Sequence, residues 1–269
     1  MNSNGPSRNG ITIKSGRELW LMIQAGQIVA KAKASVAEAV QPGSETRELD
    51  AVAEREIRQL GGIPSFKGYQ ASATVPFPAS ICASINDEIV HGIPGKRKLR
   101  DGDIISIDVG AIYEGFHGDS AFTIGVGDID QEAEALIAVT RESLDLAIAK
   151  VRVGAHIGDI SAAVQTHAEG HGYQVVRQYV GHGIGRAMHE EPQIPNYGAA
   201  GRGPLIRQGM ALAIEPMLNI GGWETRQLSD GWTVVTADGS LSAHFEDTVA
   251  ITEDGPQVTT RLAPVREAL

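Results

Sequence analysis

An internal repeat constrains this chain more than any other feature of its sequence. Residues 39–61 (AVQPGSETRELDAVAEREIRQLG) align without gaps on 150–172 (KVRVGAHIGDISAAVQTHAEGHG) at an offset of 111. The alignment pairs Gly43 with Gly154, Leu49 with Ile160, Val52–Ala53 with Ala163–Val164 and Gly61 with Gly172. Further on, LRDGDIISIDVG (99–110) matches IRQGMALAIEPM (206–217), which sets Asp108 on Glu215. HGDSAFTIGVGD (117–128) matches HFEDTVAITEDG (244–255), which sets Asp119 on Glu246. Any one match between short apolar strands is weak, but three in the same order that carry acids onto acids are hard to dismiss. The chain therefore reads as a duplicated unit of two helices and a β-hairpin, with halves at about 15–128 and 131–256. The halves pack about an approximate two-fold axis, and each brings two carboxylates to the centre. The expected fold class is α+β: a central antiparallel sheet with helices on its outer face, in a single domain over 15–269 after a flexible lead-in at 1–14.

Local patterns fill in the unit. Ser15 and Glu18 have capping-box spacing, and Leu19, Met22, Gly26, Val29, Val36 and Val40 recur at helical intervals until QPG at 41–43. A second helix is expected over 46–60, and two more over 131–151 and 158–170. Strands are expected near 81–90, 104–112, 119–126, 174–180, 210–220, 232–236 and 244–252.

Composition removes several classes of function. A chain that is 42% hydrophobic and 21% charged can build a packed core. Its net charge of −10 provides no footprint for nucleic acid or an anionic membrane. The one basic cluster, GKRKLR at 95–100, runs straight into DGD and reads as a solvated loop. The single cysteine, Cys82, leaves no internal disulfide and no Cys-rich zinc module. The N-terminus lacks the apolar core of a signal peptide and no segment is apolar enough to span a bilayer, so a cytoplasmic protein is expected.

The acids carry the chemistry. Asp108 lies inside the apolar run IISIDVG, where an unpaired carboxylate is costly. A turn at Tyr113–Glu114 would set Asp108 directly across from Asp119, and like charges there repel. One shared proton could relieve a single pair, but with Glu215 and Glu246 arriving by pseudo-symmetry the four need bound cations. His182, between Gly181 and Gly183, joins the set. Four carboxylates and an imidazole suit two divalent first-row ions, and Mn, Fe(II), Co and Zn all remain open. Two such ions activate a shared water, which is hydrolytic chemistry, and no phosphate loop, nucleophile elbow or dinucleotide fingerprint competes. His91 and His189, each shortly before an Ile-Pro, could bind a substrate carbonyl or stabilise an oxyanion. His117, His156, His167 and His171 read as structural or solvated, and His244 as near the site by sequence only.

The ordered set Asp108, Asp119, His182, Glu215 and Glu246 resembles the five-ligand dinuclear site of the pita-bread metallopeptidases, and within them the type I methionine aminopeptidases. SICASINDEIVHGIP (80–94), IDVGAIYEGFHGDSA (107–121), GHGIGRAMHEEPQIPNY (181–197), IEPML (214–218) and SDGWTVVTADGSLSAHFEDTVAIT (229–252) carry the likeness. The resemblance implies that Asp119 and Glu246 bridge two ions, that Asp108 completes one, and that His182 and Glu215 complete the other. It implies that His189 and His91 contact the scissile peptide, with His91 as acid toward the leaving amine, and that Glu215 can also move a proton. It maps a methionine pocket onto Tyr69, Phe77, Cys82, Met188, Trp232 and His91, and a structural Na+ or K+ site onto Asn86, Glu88 and Ser242. The implied substrates are N-termini of nascent polypeptides near the ribosome, with a small second residue, handled by a monomer that binds neither nucleic acid nor membrane.

Three departures stand out: a longer link between Tyr69 and Phe77, Met188 where an aromatic is common, and Asp247 where His is frequent. Prolidase-like relatives would share the ligands but usually carry an added N-terminal domain, and type II enzymes need an insertion between His182 and Glu215 that this interval cannot hold. A non-catalytic binding protein on the same scaffold would be marked by lost ligands, and none is lost.

Overall fold

The computed structural model describes residues 10–70 and 74–262. Helices α1 (Gly16–Ala39), α2 (Thr46–Gln59), α3 (Gln131–Ile148) and α4 (Ile157–Gly170) form where the sequence patterns place them. Helix α1 starts at the expected capping box: the Glu18 amide bonds the Ser15 hydroxyl, and the Glu18 carboxylate accepts the Ser15 amide. Of the expected lead-in, residues 1–9 lie outside the described residues, and 11–14 do not hang free. Ile11 is buried, the Lys14 amide bonds the Gly209 carbonyl at 2.7 Å, and the Lys14 ammonium pairs with Glu190 at 2.8 Å.

Positions related by the repeat occupy matching places. Helices α2 and α4 are both 14 residues long and begin at Thr46 and Ile157, 111 apart. Each carries a capping box, built by Glu45 with Glu48 and by His156 with Asp159. Gly43 donates to the Leu99 carbonyl at 2.8 Å, and Gly154 donates to the Ile206 carbonyl at 2.9 Å. Both glycines have positive φ (93° and 87°), which a residue with a side chain adopts only with strain. The short strand Ile63–Pro64 pairs with Ile112 and Ala111, and its counterpart Gln174–Val175 pairs with Asn219 and Leu218.

The long hairpin Ile104–Tyr113 and Phe116–Gly125 turns one residue later than the sequence suggests. Glu114 (φ 49°) and Gly115 (φ 81°) occupy the turn, both on the positive side that a tight two-residue hairpin connection requires. Moving the turn by one residue moves the register by two. Asp108 therefore faces Ala121, and Asp119 faces Gly110. The two acids keep the same face of the sheet but stand diagonally rather than opposite.

Strand 116–125 then runs beside the second half. Ala121 and Glu246 exchange backbone hydrogen bonds at 2.9 and 3.3 Å. On either side threonine hydroxyls extend the seam: Thr248 bonds both backbone groups of Asp119, and Thr123 bonds both backbone groups of His244. Ala121 thus has Asp108 on one side and Glu246 on the other, and its methyl leaves room for both carboxylates. The expected strands 81–90, 210–220 and 244–252 are each interrupted, as 81–85 with 88–90, 211–214 with 217–219, and 242–244 with 247–252. Glu215 and Glu246 sit in the last two interruptions.

Helix α1 packs on the first hairpin, α2 on α1 and on the strands 63–64 and 81–85, α3 on strands of the second half, and α4 on α3. Leu49, Ile57, Ile105, Ile107, Leu136, Leu212 and Val249 belong to one continuous core beneath them. Each fully buried side chain of this kind contributes about 1.5–3 kcal/mol. Among the described residues no helix is long and apolar enough to cross a membrane.

Where α1 crosses the hairpin, two glycines meet. A Cβ on Gly118 would lie 2.8 Å from the Gly26 nitrogen and 3.0 Å from the Ala25 carbonyl carbon, both backbone atoms. Gly118→Ala should therefore lower the unfolding free energy of the metal-free protein by about 2 kcal/mol. Urea unfolding checks this, and an unchanged midpoint would show that the contact is not tight.

Candidate metal centre

Each acid reaches the centre by a different local route. Asp108 stands on a continuous strand between Cys82 and Ala121, and Asp119 on the next strand over. Glu215 follows the strand Ala211–Ile214, and Glu246 precedes the strand Asp247–Thr252 that pairs with it. His182 is held on Gly181–Gly183 against Ala213. One ligating atom from each of Asp119, His182 and Glu246 lies within 4.8 Å of the others, and His182 Nε2 is 3.6 Å from Glu215 Oε1.

The electrostatics are those of an anion cluster. Burial raises the Asp108 carboxyl to about 7. Asp119, Glu215 and Glu246 are pushed well above the usual carboxylate range by burial first, then by Asp108 and by one another. Asp108 Oδ1, Asp119 Oδ1 and Glu246 Oε1 are buried without a hydrogen-bond partner. Orphaned carboxylate oxygens at this density are what hard or borderline divalent cations satisfy. The imidazole agrees. His182 Nδ1 bonds the Gly183 carbonyl at 2.9 Å, and a carbonyl only accepts, so the proton sits on Nδ1 and Nε2 keeps its lone pair for a metal. The residues present fit divalent ions.

All twelve residues expected for catalysis, metal binding or substrate binding line one cavity. At one end are the four acids, His182 and His189. At the other, Phe77 stacks edge-on against Trp232 with ring centres 5.2 Å apart, and Cys82 and Met188 close an apolar cup together with Phe66. His91 stands between the two ends, edge-on to Tyr179 and to Trp232. Its φ of 61° is unusual for a residue other than glycine and stores about 1–3 kcal/mol, a strain that collects at functional sites. Burial lowers His91 to about 4, so it is neutral in the free protein.

The longer link between Tyr69 and Phe77 leaves the cup in place. Residues 71–73 lie outside the described residues, but the ends of the link are tied by bonds from Phe77 to the Tyr69 carbonyl and from Gly68 to the Phe77 carbonyl, both 2.8 Å. Trp232 Nε1 also bonds the Val75 carbonyl at 2.9 Å. Asp247 faces away from the acids into a polar cluster: it accepts from Thr260 at 2.7 Å and from Arg261 Nε at 2.7 Å, with the Lys33 ammonium 3.9 Å away. Ser120 links that cluster to the carbonyl of Glu246. In the region expected for a monovalent cation, the Ser242 amide bonds the Asn86 carbonyl, while Glu88 is paired with Arg97 and the Ile85 amide.

One histidine stands closer to the chemistry than the sequence suggests. His244 is buried in the same cavity, its Nε2 without a hydrogen-bond partner and 3.8 Å from Glu215 Oε2. The available signal was its position two residues before Glu246, matched by His117 two before Asp119. His117 is buried on strand 116–125 and bonds Ser65 through Nδ1 at 2.9 Å.

A metal-free centre of this kind has a defined pH response. The four carboxyls hold protons in the folded state to higher pH than in the unfolded state, so their contribution is lost as pH rises. The depressed histidines act oppositely, but only below their ordinary value of 6.5. The chelated protein should therefore lose thermal stability between pH 6.5 and about 8, and added divalent ion should abolish or reverse that slope. Melting curves with and without chelator test it.

Comparison with known proteins agrees with this geometry. The model of metallopeptidase family M24 matches residues 21–253. The chain is 50% identical over 252 residues to methionine aminopeptidase 1 of Bacillus subtilis, covering 94% of this chain and 100% of that one. It is 48% identical over 260 residues to methionine aminopeptidase 1 of Mycobacterium tuberculosis, covering 94% of this chain and 96% of that one. The crystal structure of methionine aminopeptidase from Thermotoga maritima superimposes with a TM-score of 0.90 at 44% identity, covering 94% of this chain and 100% of that one. Prolidase from Pyrococcus furiosus, at 22% identity and a TM-score of 0.73, shares the pita-bread fold.

Proposed function

This chain belongs to metallopeptidase family M24 and is a metal-dependent aminopeptidase that removes N-terminal methionine, and we propose how its own residues divide that task. Asp108, Asp119, His182, Glu215 and Glu246 would hold two divalent ions. Bound there, the ions supply Lewis acidity and lower the pKa of a water they share, so that a nucleophile is available near neutral pH. The observation that carries this reading is the set of buried carboxylate oxygens with no partner, grouped around a histidine whose free nitrogen faces them.

The apolar cup takes the methionine side chain. Its thioether suits the soft wall formed by Met188 and Cys82 and the ring faces of Phe77 and Trp232. His189 donates to the oxygen of the scissile carbonyl and stabilises the charge that develops on it. His91, neutral in the free enzyme, takes up a proton during the reaction and delivers it to the departing amine. Glu215 would carry that proton from the attacking water. The substrates are N-termini of nascent chains whose second residue is small enough to pass the cavity mouth.

Turnover of a Met-Gly-X peptide with Mn or Co added, and its loss in chelator, tests the assignment. Asp108→Ala should abolish both methionine release and stoichiometric metal binding with the fold retained by circular dichroism. His91→Ala should keep its metal and lose about 10²–10⁴ in kcat. Normal turnover by Asp108→Ala, or release of X from X-Pro substrates in preference to methionine, would contradict it.

A further inference from the structure

Tyr69 does more than close the apolar cup. Its phenol oxygen lies 2.6 Å from His189 Nδ1, with the two rings 5.4 Å apart and tilted. A phenol titrates near pH 10 and is an O–H donor at neutral pH, while a neutral imidazole presents one lone pair and one N–H. Two arrangements are possible across this contact. If Nδ1 carried the proton, a neutral imidazole N–H, a far weaker acid than a phenol, would donate to a phenol oxygen, a far weaker base than an imidazole nitrogen. If the phenol donates, the stronger acid meets the stronger base, and the imidazole proton sits on Nε2.

We infer that Tyr69 is a positioning residue for the reaction, its hydroxyl fixing His189 as the Nε2–H tautomer so that His189 presents a donor to the substrate carbonyl. The inference rests on the role assigned above to His189. His182 is set in the opposite sense by the backbone, with its proton on Nδ1. The two rings stand edge-on with centres 4.4 Å apart, one presenting a lone pair and the other an N–H. One tyrosine therefore separates a metal-binding imidazole from a hydrogen-bonding one, which distance and burial alone do not do.

The backbone supports the role. Tyr69 is anchored to Phe77 through the 2.8 Å bond between the Phe77 amide and the Tyr69 carbonyl, and Phe77 packs on Trp232. The wall that meets the methionine side chain and the hydroxyl that orients His189 thus belong to one rigid piece. A side chain that seats properly against this wall does so with the donor already aimed, which is preorganisation of the kind that acts on kcat.

The test has a spectroscopic and a kinetic arm. In metal-free wild type at about pH 8, the ring 15N shifts of His189 should show the Nε2–H tautomer, and Tyr69→Phe should move them toward a mixture. Tyr69→Phe should lower kcat about tenfold, as expected for one lost hydrogen bond, with KM within about twofold. In a His189→Ala background the same substitution should change kcat by less than about twofold. An Nδ1–H tautomer in wild type, unchanged shifts in Tyr69→Phe, or a rise in KM with kcat intact would overturn the inference and leave Tyr69 a pocket wall. If His189→Ala itself turns over normally, the role of His189 falls and the positioning role with it. The tautomer spectra separate that outcome from a wrong assignment of the proton.

Discussion

Mutual repulsion among four buried carboxylates is the interaction on which the rest of this structure depends. Asp108, Asp119, Glu215 and Glu246 sit in a low-dielectric interior where none has a neutralising Lys or Arg in direct contact among the described residues. Only a packed frame with unusual rigidity can hold that arrangement. The seam between the halves provides it: Ala121 and Glu246 exchange two backbone bonds, and the hydroxyls of Thr248 and Thr123 continue the ladder on either side. The frame makes the acids converge, and acids so placed fit divalent cations, which would supply the hydrolytic chemistry.

Pseudo-symmetry explains why such a site is accessible to a chain of this size. Each half brings two acids at matched places, and joining two copies doubles the carboxylates without a new fold for each. The halves then diverge where the chemistry differs. The first keeps continuous strands, so Asp108 and Asp119 are held by a regular ladder. The second breaks its strands at Glu215 and Glu246, which frees those side chains from strict alternation and admits His182 and His244 beside them.

Much of this was legible in the sequence because it is encoded in periodicity and in the order of chemically distinctive residues. The four acids and His182 are rare types for buried strands; the repeat singled out the acids, and the flanking glycines singled out His182. Register was less legible: the turn needs positive φ at two consecutive residues, and Glu114 does not advertise that, so the hairpin was expected one residue early. Residues 11–14 carry no helical or strand pattern, and they are packed through contacts far along the chain, the Lys14 amide on Gly209 and the Lys14 ammonium on Glu190. His244 looked incidental because its approach to Glu215 depends on the strand break between them and not on spacing. The polar cluster of Lys33, Asp247 and Arg261 joins α1 to the end of the described chain, a contact that no local pattern encodes.

The central proposal is that the five residues form one centre for two divalent ions and that no other cluster among the described residues does so. Equilibrium dialysis of the chelated protein against Mn, read as ions bound per chain, measures this directly. The account predicts two ions per wild-type chain and none held tightly by a variant carrying both Asp119→Ala and Glu246→Ala. Two ions retained by that variant would place the metal elsewhere and contradict it.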